Sequence, residues 1–172
     1  RYPSELSGGQ RQRISIGSAL ILNSKFIVAD EPVSALDVTV QSQVLNLLLD
    51  LHRSQQLTYL FISHDLNIVR HFCNRVIVMY LGENVEEAEV EEIYEDPKHP
   101  YTQLLFHSIL TDERKLQKIT DSEQSREDAS GEGCPFYQRC TGRCEICRTS
   151  RPERKNISSD KEHPHWVKCF KY

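Results

Sequence analysis

Apolar and polar positions along this chain fall into blocks whose period switches between helical and strand-like. Residues 10–22 carry Ile14, Gly17-Ser18 and Ile21 at three- and four-residue spacing, which predicts a helix. An unbroken apolar run follows, Phe26-Ile27-Val28-Ala29, and stops at two carboxylates, Asp30 and Glu31. Such a run predicts a strand buried on both faces of a parallel sheet. Pro32 has no N–H to give to a ladder and ends it. Over 40–56, Val40, Val44, Leu47-Leu48 and Leu51 line one face of an amphipathic helix, with Asp37 ahead of it as a candidate cap. The pattern then predicts a strand at 58–63, a short helix at 66–72, a strand at 75–80 and, past Gly82, an edge strand at 83–87. This alternation predicts an α/β fold with a parallel sheet. Residues 86–95 read as an acidic, partly helical, solvated stretch, and Pro97 and Pro100 stiffen a turn that opens a helix at 101–110. Residues 111–132 are polar and without periodicity, which predicts a linker.

Ligands of parallel α/β sheets bind beyond the carboxyl ends of the strands. Asp30 and Glu31 are therefore placed to hold Mg²⁺ on a phosphate and to orient an attacking water. The ordinary reading of the same residues is a strand that ends in solvated acids. Ahead of them stands Leu6-Ser7-Gly8-Gly9-Gln10, where two glycines let backbone N–H groups approach an anion and the following helix aims its positive end at it. Alone, this would be a Gly-Gly turn at a helix start. Beyond them, the run Phe61-Ile62-Ser63 ends in His64, on the strand expected to lie beside the Asp30-Glu31 tip.

These motifs in this order resemble an ABC-type ATPase over residues 1–80. The resemblance implies the later half of an ABC-type P-loop ATPase domain. It implies that Ser7, Gly8, Gly9 and Gln10 form the signature loop that contacts the γ-phosphate of ATP held by another subunit. It implies Asp30 as the Walker B aspartate near Mg²⁺, Glu31 as the catalytic base, and His64 as the switch histidine on the γ-phosphate. Ser34, Ala35, Leu36 and Asp37 match the D-loop at the dimer interface; for Asp37 this role is compatible with capping. Ser18 departs from the family, which carries an arginine there. Further on, His99-Pro100-Tyr101-Thr102, with the wording of 30–41 and 58–66, is similar to the ATPase subunits of oligopeptide and dipeptide importers, in particular the F-type of the two.

The chain has 172 residues, 38% of them hydrophobic, and a formal net charge of −4, enough for one compact domain with an appendage. The acidic balance gives no nucleic-acid footprint, and no apolar run reaches the ~18 residues that would cross a bilayer. The first residue is Arg1 and the one methionine is Met79, so a longer reading frame is expected. No G-x-x-x-x-G-K-[ST] phosphate loop occurs within the chain. Alone, it is expected neither to bind ATP tightly nor to turn it over. Two readings follow from the resemblance and this gap. One is the ATP-hydrolysing subunit of a peptide importer at the cytoplasmic face of the membrane. It would work with a second ATPase subunit as a heterodimer, with transmembrane permeases and, indirectly, with an extracytoplasmic peptide-binding protein. The other is a non-catalytic remnant or auxiliary partner that lends only its signature motif.

Five of the six cysteines, Cys134, Cys140, Cys144, Cys147 and Cys169, fall in residues 133–172, where aromatic and aliphatic residues are too few to fold unaided. Three staples compete. Disulfides are disfavoured in a reducing compartment. Zinc wants four ligands, usually from close C-x-x-C pairs, of which only Cys144/Cys147 is one. An iron–sulfur cluster accepts four thiolates at irregular spacing. The resemblance implies a [4Fe–4S] cluster on Cys134, Cys140, Cys147 and Cys169, with Cys144 an extra thiol and possible substitute ligand. His163 and His165 are expected to be structural, with zinc ligation as the alternative. The expected division is thus an ATPase part at 1–110, a linker at 111–132 and a small cysteine-rich carboxy-terminal module at 133–172.

Overall fold

The computed structural model describes residues 2–111 and 132–172, so the expected linker lies almost wholly outside the described residues. Two compact units divide the described chain, Arg1–Cys73 and Asn74–Tyr172.

The first unit is a two-stranded parallel sheet with helices. After a 3₁₀ turn at Pro3–Glu5, helix α1 spans Gly8–Leu20, strand β1 Phe26–Asp30, helix α2 Val38–Gln55, strand β2 Thr58–Ile62 and helix α3 Leu66–Phe72. The register pairs Val28 with Leu60 and Asp30 with Ile62, so both strand tips end side by side. Asp37 caps α2, its Oδ1 accepting from the Val40 N–H at 3.0 Å, and Asp65 caps α3 in the same way. Apolar positions four apart on α2, Val44 and Leu48, are sealed with Val33 under Tyr59, Phe61, Ile68 and Phe72. Helix α2 thus behaves as its pattern predicts.

β1 departs from expectation. Ala29 is buried, but Phe26 and Val28 are each 55% exposed, and Leu60 and Ile62 on the same face of β2 are 44% exposed. Strand residues two apart share a face. The apolar run therefore has one covered face, through Ile27, Ala29, Tyr59 and Phe61, and one open face. An unbroken apolar run does not say how many faces are covered.

In the second unit, β3 (Arg75–Tyr80) does not extend a parallel sheet. It pairs antiparallel with β4 (Glu83–Glu89) across a two-residue turn. Leu81 and Gly82 both take left-handed backbone angles, φ 48° and 81°, the condition a I′ hairpin turn sets. Helices α4 (Val90–Glu95) and α5 (Pro100–Thr111) follow. After residue 132 come a 3₁₀ turn at Tyr137–Arg139, a short helix α6 (Ile146–Thr149), and strands β5 (Arg154–Asn156) and β6 (Trp166–Lys168). The sheet order is β3-β4-β6-β5. Glu86 and Glu87 pair with Val167 and Trp166, so the cysteine-rich tail shares a sheet with residues 75–89 instead of standing as a module of its own.

Candidate functional site

In the first unit, the turn ahead of α1 is a capping box. Ser7 Oγ accepts from the Gln10 N–H at 3.3 Å, and Gln10 Oε1 accepts from the Ser7 N–H at 3.0 Å. The Gly8 and Gly9 amides occupy the first turn, where an N–H has no intrahelical partner. Both glycines are also packing requirements. A Cβ on Gly9 would stand 2.5 Å from Val40 Cγ1, and one on Gly8 would stand 3.1 Å from Leu36 Cδ2. Helix α1 is thereby seated against the start of α2 and against the Ser34–Asp37 turn, a link the sequence pattern did not disclose.

At the strand tips the chemistry converges. Glu31 follows β1 with a left-handed φ of 46°, an uncommon conformation for a residue with a side chain. Its N–H donates to the Ile62 carbonyl at 2.9 Å, and its carbonyl accepts from Ser34 Oγ at 3.1 Å. These bonds fix the turn, and Glu31 Oε1 meets His64 Nδ1 at 2.7 Å. Two residues 33 apart in sequence thus form one polar pair, open to solvent, with the exposed Asp30 carboxylate next in the chain. Among the described residues no hydrogen bond joins Ser7 or Gln10 to Asp30, Glu31 or His64.

The second unit holds a polar node that sequence reading missed. Glu86, assigned to a solvated run, is 1% exposed. Its carboxylate accepts from the Lys98 and His99 N–H groups at 2.7 and 2.9 Å and meets His165 Nε2 at 2.7 Å. His165 Nδ1 meets Glu92 Oε1 at 2.8 Å. Burial opposes charge on both Glu86 and His165, but their hydrogen bonds win. The carboxyl is held below its ordinary range, and the imidazole is held above its own. His99 goes the other way. Burial lowers it to about 4, and its neutral Nδ1 accepts from the Tyr101 N–H at the start of α5. Thr102 is fully buried beside the same carboxylate. Both nitrogens of His165 meet carboxylates, and Nδ1 of His163 meets Glu89 at 2.5 Å. The signal for Glu86 was Ala88, two residues on and fully buried, which puts Glu86 on the inward face of β4.

Phe136 joins the tail to this node. Its ring lies 5.2 Å from Tyr80, 5.6 Å from Tyr101 and 5.8 Å from His99. Behind it, all five tail cysteines line one cavity of about 20 Å³, with Phe136, Pro152 and Lys171 among its walls. The Cys134 N–H donates to the Cys147 carbonyl at 2.8 Å, which ties the two ends of the cysteine segment. All six cysteines are free thiols, and burial pushes Cys134, Cys147 and Cys169 up. Among the described residues no three His, Cys, Asp or Glu side chains stand in metal-ligating geometry.

Residues 85–147 match the family described as oligopeptide/dipeptide transporter, C-terminal region, and residues 1–34 match the ABC transporter family. The chain is 48% identical over its whole length to the oligopeptide transport ATP-binding protein AppF of Bacillus subtilis, and covers 53% of it. It is 42% identical over 99% of its length to the di/tripeptide transport ATP-binding protein DppF of Pseudomonas aeruginosa, and covers 54% of that protein. With these matches the chain is similar to the ATP-binding proteins of oligopeptide/dipeptide ABC transporters. It spans about half the length of the curated relatives it matches. Among solved structures, the ADP conformation of MJ1267, an ATP-binding cassette of an ABC transporter, matches 60% of the chain at 33% identity with a TM-score of 0.52. A putative metal-chelate type ABC transporter matches 60% at 37% identity, also with a TM-score of 0.52. These matches cover 42% and 40% of the solved chains and place the fold among ABC cassettes. Among the described residues no helix is long and apolar enough to cross a membrane.

Proposed function

We propose that this chain carries the signature, catalytic and switch residues of an F-type ATPase subunit that energises import of oligopeptides or dipeptides. The observation that carries this reading is the Glu31–His64 pair at 2.7 Å, set at the tips of two neighbouring parallel strands. In this reading Glu31 takes the proton of the attacking water, and His64 orients Glu31 and reaches the γ-phosphate. Asp30 would hold Mg²⁺, which would supply positive charge against the phosphates. Ser7 and the free Gly8 and Gly9 amides bind the γ-phosphate of an ATP carried by a second ATPase subunit, and Gln10 holds Ser7 in place through the capping box. Ser34, Ala35, Leu36 and Asp37 face that subunit. The subunit lies at the cytoplasmic face of the membrane against permeases fed by a peptide-binding protein. Sequencing the reading frame upstream of the Arg1 codon, then assaying ATP turnover of its whole product, tests this. A phosphate-loop sequence and Glu31-dependent turnover are expected. A stop codon just ahead of Arg1 would overturn it and leave an auxiliary partner.

We further infer that the five-cysteine cavity is a metal site. The donor set fits in kind. Soft thiols converge, and a buried thiol gives up its proton readily where a cation compensates. Cys134, Cys140, Cys147 and Cys169 would hold a [4Fe–4S] cluster, with Cys144 as a substitute, and the cluster would supply a covalent staple for the tail. A single zinc ion held by four of the same thiols is the second reading. Iron with acid-labile sulfide after anaerobic purification supports the cluster and zinc supports the second reading. Metal-free protein overturns both.

A further inference from the structure

Cys144 is the one tail cysteine that the importer pattern leaves without a role, and the structure gives it a partner. Its Sγ lies 3.1 Å from Cys147 Sγ, inside the contact distance of two sulfur atoms and about 1 Å longer than a disulfide bond. Among the described residues it is the only pair of sulfurs in such contact. The pair is asymmetric. Cys144 is exposed, whereas Cys147 is buried and fixed through its backbone, its N–H donating to the Cys144 carbonyl at 3.1 Å and its carbonyl accepting from the Cys134 N–H at 2.8 Å. An accessible thiol with a fixed second thiol beside it, separated by two residues in a C-x-x-C, is the arrangement that thiol–disulfide exchange uses.

We propose that Cys144 and Cys147 form a reversible dithiol–disulfide site that is oxidised by a low-molecular-weight disulfide, RSSR. The Cys144 thiolate attacks one sulfur of RSSR, forming a mixed disulfide and releasing RS⁻. The Cys147 thiolate then attacks the Cys144 sulfur, closing the ring bond and releasing the second RS⁻. Two protein thiols are oxidised and one RSSR is reduced to two RSH, the protein's two protons ending on the leaving thiolates. In a reducing compartment such a bond is transient and serves sensing. Cys147 is also one of the four cysteines of the metal reading, so oxidation withdraws a ligand. That consequence rests on the proposed metal site; the exchange itself does not.

The test uses the whole chain, reduced, freed of metal by chelation and held anaerobically, then exposed to oxidised glutathione, acid-quenched, alkylated and digested with trypsin. Cleavage after Arg143 and Arg148 releases a peptide that contains Cys144 and Cys147 and no other cysteine. The expected product is that peptide unalkylated and about 2 Da lighter, for the two hydrogens lost, and restored by dithiothreitol. In Cys144→Ser the lighter peptide is absent. Full alkylation of both thiols after oxidation, or a bond from either to Cys134, Cys140 or Cys169, overturns the proposal. A parallel loading with zinc, or with ferrous iron and sulfide, separates the two readings. Uptake by reduced but not oxidised chain supports the withdrawal of a ligand. No uptake by either overturns the metal reading, while the peptide mass still decides the couple.

Discussion

His165 Nε2 meets Glu86 Oε1 at 2.7 Å with both side chains closed to solvent, and this contact ties β6 of the tail to β4. A buried charge that loses its partner is left uncompensated, which costs about 3–5 kcal/mol. His165→Ala is therefore expected to lower the unfolding free energy by an amount of that order in urea titration. Glu86→Ala is expected to cost at least as much, because it also strands the Lys98 and His99 N–H groups. Loss of less than about 0.5 kcal/mol in both, the range of an ordinary surface substitution, would contradict a buried ion pair.

The same node sets a pH dependence. His165 is raised in the folded chain, so its contribution is complete below its ordinary value of 6.5 and is lost as pH rises through the folded value. Glu86 is lowered, so its contribution is complete above 4.5 and is lost as pH falls through its depressed value. His99, lowered to about 4, opposes folding wherever the unfolded imidazole takes up a proton first, which is below 6.5. Stability measured across pH is expected to peak near 6.5 and fall on both sides. His99→Asn, which keeps an acceptor for the Tyr101 N–H, flattens the acid limb, and His165→Ala flattens the alkaline limb.

What the sequence disclosed was largely local. Helical spacing located α2 and α3, and the apolar run located β1 and its acidic tip, because period and termination are written in consecutive residues. Pairing was not legible in the same way. The alternation in β3 serves a parallel or an antiparallel neighbour equally, and only the Leu81-Gly82 turn told that β4 folds back on it. Glu86 was hidden by its acidic surroundings, since its burial depends on His165, 79 residues away. The five thiols were found as a set from their types, but their meeting in one cavity follows from β6 pairing with β4.

If Glu31 is the general base, Glu31→Gln removes proton transfer while keeping a group that reaches His64. ATP turnover of the whole subunit is expected to fall by about 10²- to 10⁴-fold. His64→Ala is expected to lower turnover as well, through loss of the 2.7 Å contact that orients Glu31. The His64 side chain is 78% exposed and that of Glu31 36%, so neither variant should move the thermal midpoint by more than a surface substitution does. Turnover that survives Glu31→Gln unchanged would remove Glu31 from the chemistry.

Gly9 separates a packing role from a phosphate-binding one. A Cβ there would stand 2.5 Å from Val40 Cγ1, so Gly9→Ala forces Val40 to shift or α1 to move off α2. Overpacking of this kind costs about 1–3 kcal/mol. The obstacle is a methyl group on a single side chain, and Val40→Ala removes it. In a double-mutant cycle the pair is therefore expected to recover much of the stability that Gly9→Ala loses, because contacting residues couple where distant ones add. ATP turnover in the double variant then reports on the loop alone. If stability returns but turnover does not, the glycine is needed where its amide approaches the phosphate, and if both return, its role was to seat the helix.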